Sequence, residues 1–430
     1  MASADVLPIT RDLLTDVIFD SPTRHEQFKA TLLRLSPLVS IDRVKDQILF
    51  IGAWLKFYQK SEDTGILNAL LSRGVYRFEL WLTRIIGRSF VKNGLLKLCE
   101  VPPIDVAMML HACILSPHRY YEDGLVRFPQ LLKIGAFPLE QIAALINPRT
   151  YEFTATSDQI NHWKERTGVP FDPLSYKDEV KDVTITCPSC EEDLDVAWED
   201  NGRGYEESAF LRICQKCGLS VSHDRLRVAK FLKDLPDIST SDQAMLRGTL
   251  LNVNGDVELA RARLIALHVT KALRKDDGSL PLLSETSMAE IFQVLSQNSQ
   301  TKLRRDHIAI LLRPYAQGTP FTHDLVKAVQ GLHRFHLDLG DTGCFNPEYL
   351  SGPCKELSVA CKKYDAFLEL IAFPEGVDGA VPSIDLDLVW HTHQLDGLLY
   401  RKTVVELTGV YADHISCTED PEFFGQQSVV

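Results

Sequence analysis

Val-Pro-Pro-Ile-Asp at 101–105, leading into His111, returns 280 positions later as Val-Pro-Ser-Ile-Asp at 381–385, leading into His391. Between 101–120 and 381–400 seven residues coincide: Val101/Val381, Pro102/Pro382, Ile104/Ile384, Asp105/Asp385, His111/His391, Leu115/Leu395 and Tyr120/Tyr400. Composition alone would give roughly one. A chain with the same segment towards both ends is expected to fold as two related halves packed together. If each copy is a helix with Asp105 or Asp385 as its N-cap, then Ile104, Met108, His111 and Leu115 share one face, as do Ile384, Leu388, His391 and Leu395. The imidazole then points into an apolar stripe. A histidine held there in both halves reads most simply as a hydrogen-bonded core residue, with Tyr120 or Tyr400 as the candidate partner.

The rest of the chain is punctuated around that duplication. Phe28, Leu32 and Leu35, then Val44, Ile48, Ile51 and Leu55, recur at helical steps. A further helical pattern from Phe128 to Ala144 ends at Asn147-Pro148, which places the end of a first helical half near 150. From about 180 the pattern changes to short β-branched runs, Val183-Thr-Ile-Thr186 and Phe210-Leu-Arg-Ile213, each running into a Cys-x-x-Cys turn. Helical periodicity returns at Leu226–Leu232 and Val257–Leu273, and Ser287-x-x-Glu290 spells a capping box that opens another helix. The expected architecture is mainly α: an internally duplicated helical domain with a small β zinc-ribbon insertion. Its parts are a helical half over 1–150, a ribbon over 175–235, connecting helices over 236–315 and a second helical half over 316–430.

The ribbon carries the sharpest chemical signal. Cys187-Pro-Ser-Cys190 and Cys214-Gln-Lys-Cys217 form two CxxC pairs at a spacing suited to one tetrahedral zinc. Four thiolates fill the coordination shell and leave no position for water, so the site is expected to be structural. Zinc ribbons often meet nucleic acid. Here Glu191, Glu192, Asp193, Asp195, Glu199, Asp200, Glu206 and Glu207 outweigh Arg203, Arg212 and Lys216, and the whole chain has a net charge of -12. A surface of that sign repels phosphate, so no nucleic-acid partner is expected.

The second repeat adds other candidate ligands. Trp390-His391-Thr392-His393 is followed by His414 and Cys417, a set competent for zinc, iron or copper and with no counterpart in the first half, where Cys113 stands for His393 and Ile134 for His414. Geometry opposes it, because residues two apart on a helix point about 200° from one another. Asp385 or Asp387 would orient such ligands. A different reading takes His336, Asp338 and His391 as a facial triad with Arg401 as a carboxylate clamp, but the triad normally sits in a β-barrel and this helical pattern supplies no strands for one. Cys113, Cys354 and Cys361 fall in apolar helical stretches and read as inert core thiols, and His333 and His336, around Phe335, as cover for a helix face. No nucleophile elbow, phosphate-cradling glycine loop or His-Glu-x-x-His occurs.

The N-terminal residues lack a basic region followed by an apolar core, and no apolar run approaches the length of a bilayer span. The expectation is a cytoplasmic protein without a membrane span, in which ten cysteines are thiols or metal ligands.

The stretches Pro-Pro-Ile-Asp-Val-Ala-Met-Met-Leu-His-Ala-Cys-Ile-Leu-Ser-Pro-His-Arg-Tyr-Tyr (102–121) and Ile-Asp-Leu-Asp-Leu-Val-Trp-His-Thr-His-Gln-Leu (384–395) resemble the signature of the glycine-rich domain-containing protein-like family of plants and fungi. The inserted ribbon, with Gly204-Tyr205 and Leu226-Arg-Val-Ala-Lys-Phe231, is similar to the arrangement in fungal members. The resemblance implies a mostly helical, duplicated domain and no settled activity. The first copy departs from the fuller pattern at Leu110 and Cys113, where Trp and His are usual, and no glycine-rich run occurs within residues 1–430. Together these readings predict a zinc-binding helical protein that acts as a binding or scaffold protein towards a protein partner or small-molecule ligand. The rival is a metal-dependent enzyme, holding non-heme iron or zinc, that acts on a small metabolite through His391, His393, His414 and Cys417.

Overall fold

The computed structural model describes residues 22–89, 91, 95–235, 245–297, 305–373 and 382–413. The first half runs through α1 (Pro22–Leu35), α2 (Ile41–Asp63), α3 (Leu67–Leu80), α4 (Ile104–Ile114), α5 (Pro117–Val126), α6 (Pro129–Ile134) and α7 (Leu139–Ala143). Then come α8 (Ser157–Thr167), α9 (Pro173–Glu179), strands β1 (Asp182–Thr186), β2 (Asp193–Ala197), β3 (Arg212–Ile213) and β4 (Ser220–Val221), and α10 (His223–Asp234). Helices α11 (Leu259–Leu273), α12 (Met288–Gln297) and α13 (Arg305–Leu312) lead to α14 (Leu325–Asp341), α15 (Pro347–Ser351), α16 (Lys355–Ala372), α17 (Ile384–Gln394) and α18 (Leu398–Thr408). The fold is mainly helical with two small antiparallel sheets, β1 with β2 and β3 with β4.

The two copies of the motif adopt the same local structure. Each opens an eleven-residue helix, α4 or α17, at the corresponding isoleucine, and each is followed by a second helix that carries Tyr120 or Tyr400. The N-caps, however, are Pro103 and Ser383, not the aspartates. Asp105 and Asp385 sit at the second helical position, where a carboxylate still complements the helix dipole, and each is claimed by a cation. Asp105 meets Arg77 of α3 at 2.6 Å, and Asp385 meets Lys363 of α16 at 2.7 Å. The tyrosines also match one another. Tyr120 donates its hydroxyl to the Leu131 carbonyl at 2.9 Å and Tyr400 to that of Ala412 at 2.8 Å, so neither is the partner of the repeated histidine.

Packing does not follow the linear order of the halves. Helix α2 lies against α3 and also against α16 and α17, while α14 lies against α17 and against α3 and α4. Val44, Ile48 and Ile51 of α2 are buried in the second core, and Phe50, Ala53, Trp54 and Tyr58 in the first. Helix α14 runs the other way, with Leu325 and Val329 in the first core and Leu339 in the second. Each of these helices therefore begins in the far half and ends in its own. Their starts are fixed by side-chain caps, Ser40 accepting from the amide of Arg43 and Asp324 from that of Lys327.

Two further apolar clusters stand apart. One gathers Val228, Phe231, Ala266, Val269, Ile291, Leu295 and Tyr315 from α10 to α13 and the turn after it. The other surrounds Trp198, Val183, Val196 and Phe210 in the ribbon. The capping box at Ser287 forms as its spacing predicts, with Glu290 Oε2 accepting from the Ser287 amide at 2.7 Å and Ser287 Oγ from the Glu290 amide at 3.2 Å. Glu122 of α5 holds the connecting segment by accepting from the amides of Gly248 and Leu250.

Candidate metal centre and the histidine core

The four ribbon cysteines converge. Cys187 follows β1 and Cys190 precedes β2, while Cys214 follows β3 and Cys217 precedes β4, so each hairpin presents its pair on a turn. The two turns are built alike. The amide of Cys187 donates to Glu192 O at 2.7 Å and that of Cys214 to Leu219 O at 2.9 Å, while the amides of Glu191 and Gly218 return to the carbonyls of Cys187 and Cys214. Four residues after the first cysteine of each pair the chain turns left-handed, at φ 60 for Glu191 and 75 for Gly218. Glycine meets that demand without strain; glutamate does not.

All four Sγ atoms lie within 4.8 Å of one another. Cys187 to Cys217 is 3.7 Å and Cys190 to Cys214 is 3.6 Å. A tetrahedron of sulfurs about 2.3 Å from a central zinc has edges of about 3.8 Å. Backbone amides of Cys217 and Lys216 aimed at the Cys214 sulfur pull its thiol down, while burial and the neighbouring thiols hold that of Cys190 up, so of these two Cys214 is the readier to give the thiolate a metal requires. Among the described residues this is the group of three or more His, Cys, Asp and Glu side chains whose ligand atoms are close enough to share an ion.

The ribbon is fastened to the first half by an arginine that the sequence reading passed over. Arg73 of α3, 2% exposed, reaches Glu206 at 2.7 Å and Glu199 at 3.2 Å, and its guanidinium lies 5.1 Å from the ring of Trp198. One turn on, Arg77 holds Asp105, donates to the carbonyls of Pro170 and Phe171, and lies over the rings of Trp163 and Tyr176. Two arginines four apart thus join the repeat helix α4 and the four-cysteine ribbon to one face of α3. Nothing local in the sequence separates them from surface arginines.

The histidines of the repeat lie in the core, as the apolar stripe predicts. His111, His336 and His391 are 0%, 0% and 1% exposed, one each from α4, α14 and α17. The rings of His111 and His336 stand 6.4 Å apart, His111 beside Phe50 and Phe137, and His391 4.7 Å from Phe335. Gln47 of α2 links the two repeat helices, accepting from Thr392 Oγ1 and approaching His111 Nε2 at 3.5 Å. Burial holds His111 well below the usual histidine range and His336 down at about 3, with neighbouring imidazoles adding to both, so these two rings are neutral at physiological pH.

His391 and His393 do not face one another. Helix α17 continues through Gln394, so it does not end between them, and His393 turns towards α16 and α18. Its Nδ1 meets the Tyr364 hydroxyl at 2.8 Å and its Nε2 the Thr403 hydroxyl at 3.0 Å, which engages both ring nitrogens. Asp387 lies 3.5 Å from His391, whereas Asp385 is occupied with Lys363. His414 and Cys417 lie outside the described residues. The facial triad does not assemble, because Asp338 is on the exposed side of α14 with Arg334 while His336 is sealed inside. Arg401 instead donates to the Gly255 carbonyl and lies over Tyr121. His333 covers its helix face by stacking on Tyr58 at 3.9 Å, but His336 does not.

One pair resembles a catalytic dyad. Ser116 Oγ is 3.0 Å from His323 Nε2, yet Arg119 Nη1 is 2.6 Å from His323 Nδ1. A guanidinium can only donate, so Nδ1 accepts and the ring hydrogen sits on Nε2. Burial and the cations Arg119 and Arg313 keep this imidazole well below its usual range. It donates to the serine and cannot take the serine's proton.

Residues 282–403, which hold α12 to α17 and part of α18, match the model of the family described as glycine-rich domain-containing protein-like. The resemblance drawn from the repeated motif therefore holds over 282–403, which include the second copy. No curated protein and no solved structure matches the chain.

Proposed function

We propose that this chain is a zinc-binding helical protein of the cytoplasm that works as a binding or scaffold protein, with its metal serving architecture. The observation that carries the reading is the closed set of Cys187, Cys190, Cys214 and Cys217, whose sulfur spacing suits zinc and leaves no coordination position for a substrate. The sealed imidazoles of the repeat support the same reading, since they lie in the packed core. Among the described residues no helix is long and apolar enough to cross a membrane. The separate apolar clusters of the ribbon and of α10–α13 support a division into 1–150, 175–235, 236–315 and 316–430.

Metal counting on the purified chain is the test. One zinc per chain, lost in Cys187→Ser and kept in His393→Ala, is the expected result. A second, labile or redox-active metal that disappears with His393→Ala would replace this reading with the metal-dependent enzyme.

A further inference from the structure

A cleft of about 360 Å3 opens between α2, the turn at 151–155 and the start of α9. That volume falls in the range of small-molecule sites, ~300–1,000 Å3. Its floor is formed by Ala53 and Ser61 of α2 and by Ile104 of the repeat helix, all buried. Rings of Phe57, Tyr151, Phe153 and Phe171 form much of the rest of the lining.

The Tyr151 wall is held in place from three sides. Its backbone is left-handed at φ 56, a conformation that costs a non-glycine residue about 1 kcal/mol or more. The ring lies against Gly52, where an added Cβ would fall 2.4 Å from Tyr151 Cδ1. Its hydroxyl donates to the carbonyl of Phe345 in the second half. A strained, glycine-accommodated aromatic tied to the opposite half makes a preformed surface.

Lys56 is paired with Glu152 at 3.1 Å and also donates to the Thr150 carbonyl. Asp172 accepts from both the amide and the hydroxyl of Ser175. Lys60 is exposed and has no ion-pair partner among the described residues. Of the four charged groups at the mouth, two cations and two carboxylates, the Lys60 ammonium is the one with neither an ion pair nor a side-chain hydrogen bond among the described residues, above a floor and walls of carbon.

We propose that this cleft binds a small apolar carboxylate, its ring or branched chain against the aromatic walls and its carboxylate on Lys60. The site goes beyond the zinc reading and does not depend on it. Titration calorimetry of the full, zinc-loaded chain with 4-phenylbutyrate, 4-phenylbutanamide and 4-phenylbutylamine tests it. The acid should bind saturably with one site per chain, about threefold or more tighter than the amide, as one exposed ion pair allows, and the amine should bind weakest. Lys60→Gln should erase the advantage of acid over amide, and Ala155→Trp, which places an indole at the mouth, should abolish binding with the melting temperature unchanged. Lys60→Gln alone decides the matter if Ala155→Trp folds poorly. Absence of saturable binding, preference for the amine, or an acid affinity unmoved by Lys60→Gln overturns the proposal. A chain that keeps one zinc and binds none of the probes loses the cleft and keeps its metal.

Discussion

Arg77 and Asp105 meet 2.6 Å apart with side chains 1% and 2% exposed, whereas the equivalent pair in the other half, Lys363 and Asp385, is 50% and 36% exposed. The same contact in the two repeats therefore sits in two dielectric settings. Removing one partner of a buried pair strands the other charge, at about 3–5 kcal/mol. An exposed pair contributes about 0–1 kcal/mol. Asp105→Ala should lower the unfolding free energy by several kcal/mol and Asp385→Ala by less than about 1, measured by urea titration. Equal losses would contradict the asymmetry.

Acid should weaken the fold before it protonates most carboxylates. His336 and His393 are held at about 3 by burial, against an ordinary 6.5. Below pH 6.5 the unfolded chain takes up protons that the folded chain refuses until about pH 3, so stability falls as pH falls through that window. Each histidine should remove about 1.4 kcal/mol per pH unit there. The groups facing His336 are imidazoles, His111, His333 and His391, with Asp387 beside the last, so among the described residues no carboxylate meets His336 directly. Urea midpoints at pH 7.5 and 5.5 should differ in that direction, and His336→Phe should reduce the difference. A flat profile would contradict neutral burial.

Chelation should act locally. Trp198 packs inside the ribbon against Arg73, Tyr76 and Tyr205, and so small a β module would depend on a metal at its four cysteines to fold. Stripping zinc should shift Trp198 emission to the red, read as the difference from Trp198→Phe, while the far-ultraviolet helical signal is largely kept. Loss of the helical signal in parallel would show that the ribbon supports the helical halves as well.

Gly52→Ala sets two effects against each other. Alanine gains about 1 kcal/mol of helix propensity over glycine. The added methyl, however, meets the Tyr151 ring at 2.4 Å, and overpacking costs about 1–3 kcal/mol. The net effect should be a loss of stability by thermal melting, together with weaker 4-phenylbutyrate binding. A stabilised variant would show that the ring moves freely.

Much of the architecture was legible where the signal is local. The paired motif announces α4 and α17, the β-branched runs into CxxC announce the ribbon, and Ser287 with Glu290 announces α12. The helix starts were misplaced by two residues at Asp105 and Asp385 because a carboxylate in the first turn can serve the dipole or a distant cation as well as cap. What the sequence withheld is long-range. Gln47 lies 64 residues from His111 and 345 from Thr392, and only the fold brings them together. The arginines at 73 and 77 look like ordinary helix surface until Glu206 and Asp105 arrive, and the aromatic cleft is assembled from five segments, each unremarkable alone.

The crossing of α2 and α14 sets an order of events for a chain made from its N-terminus. When residues up to α9 have emerged, α2 holds Val44, Ile48 and Ile51 ready for a core whose other buried residues, Phe28 and Val39 apart, begin at Leu339. That apolar face must wait in water, or in the keeping of a chaperone, while the four-cysteine ribbon and the connecting helices form. Cutting the molecule between its halves would therefore leave two fragments, each with an unfinished interior, and mixing them should restore what neither holds alone.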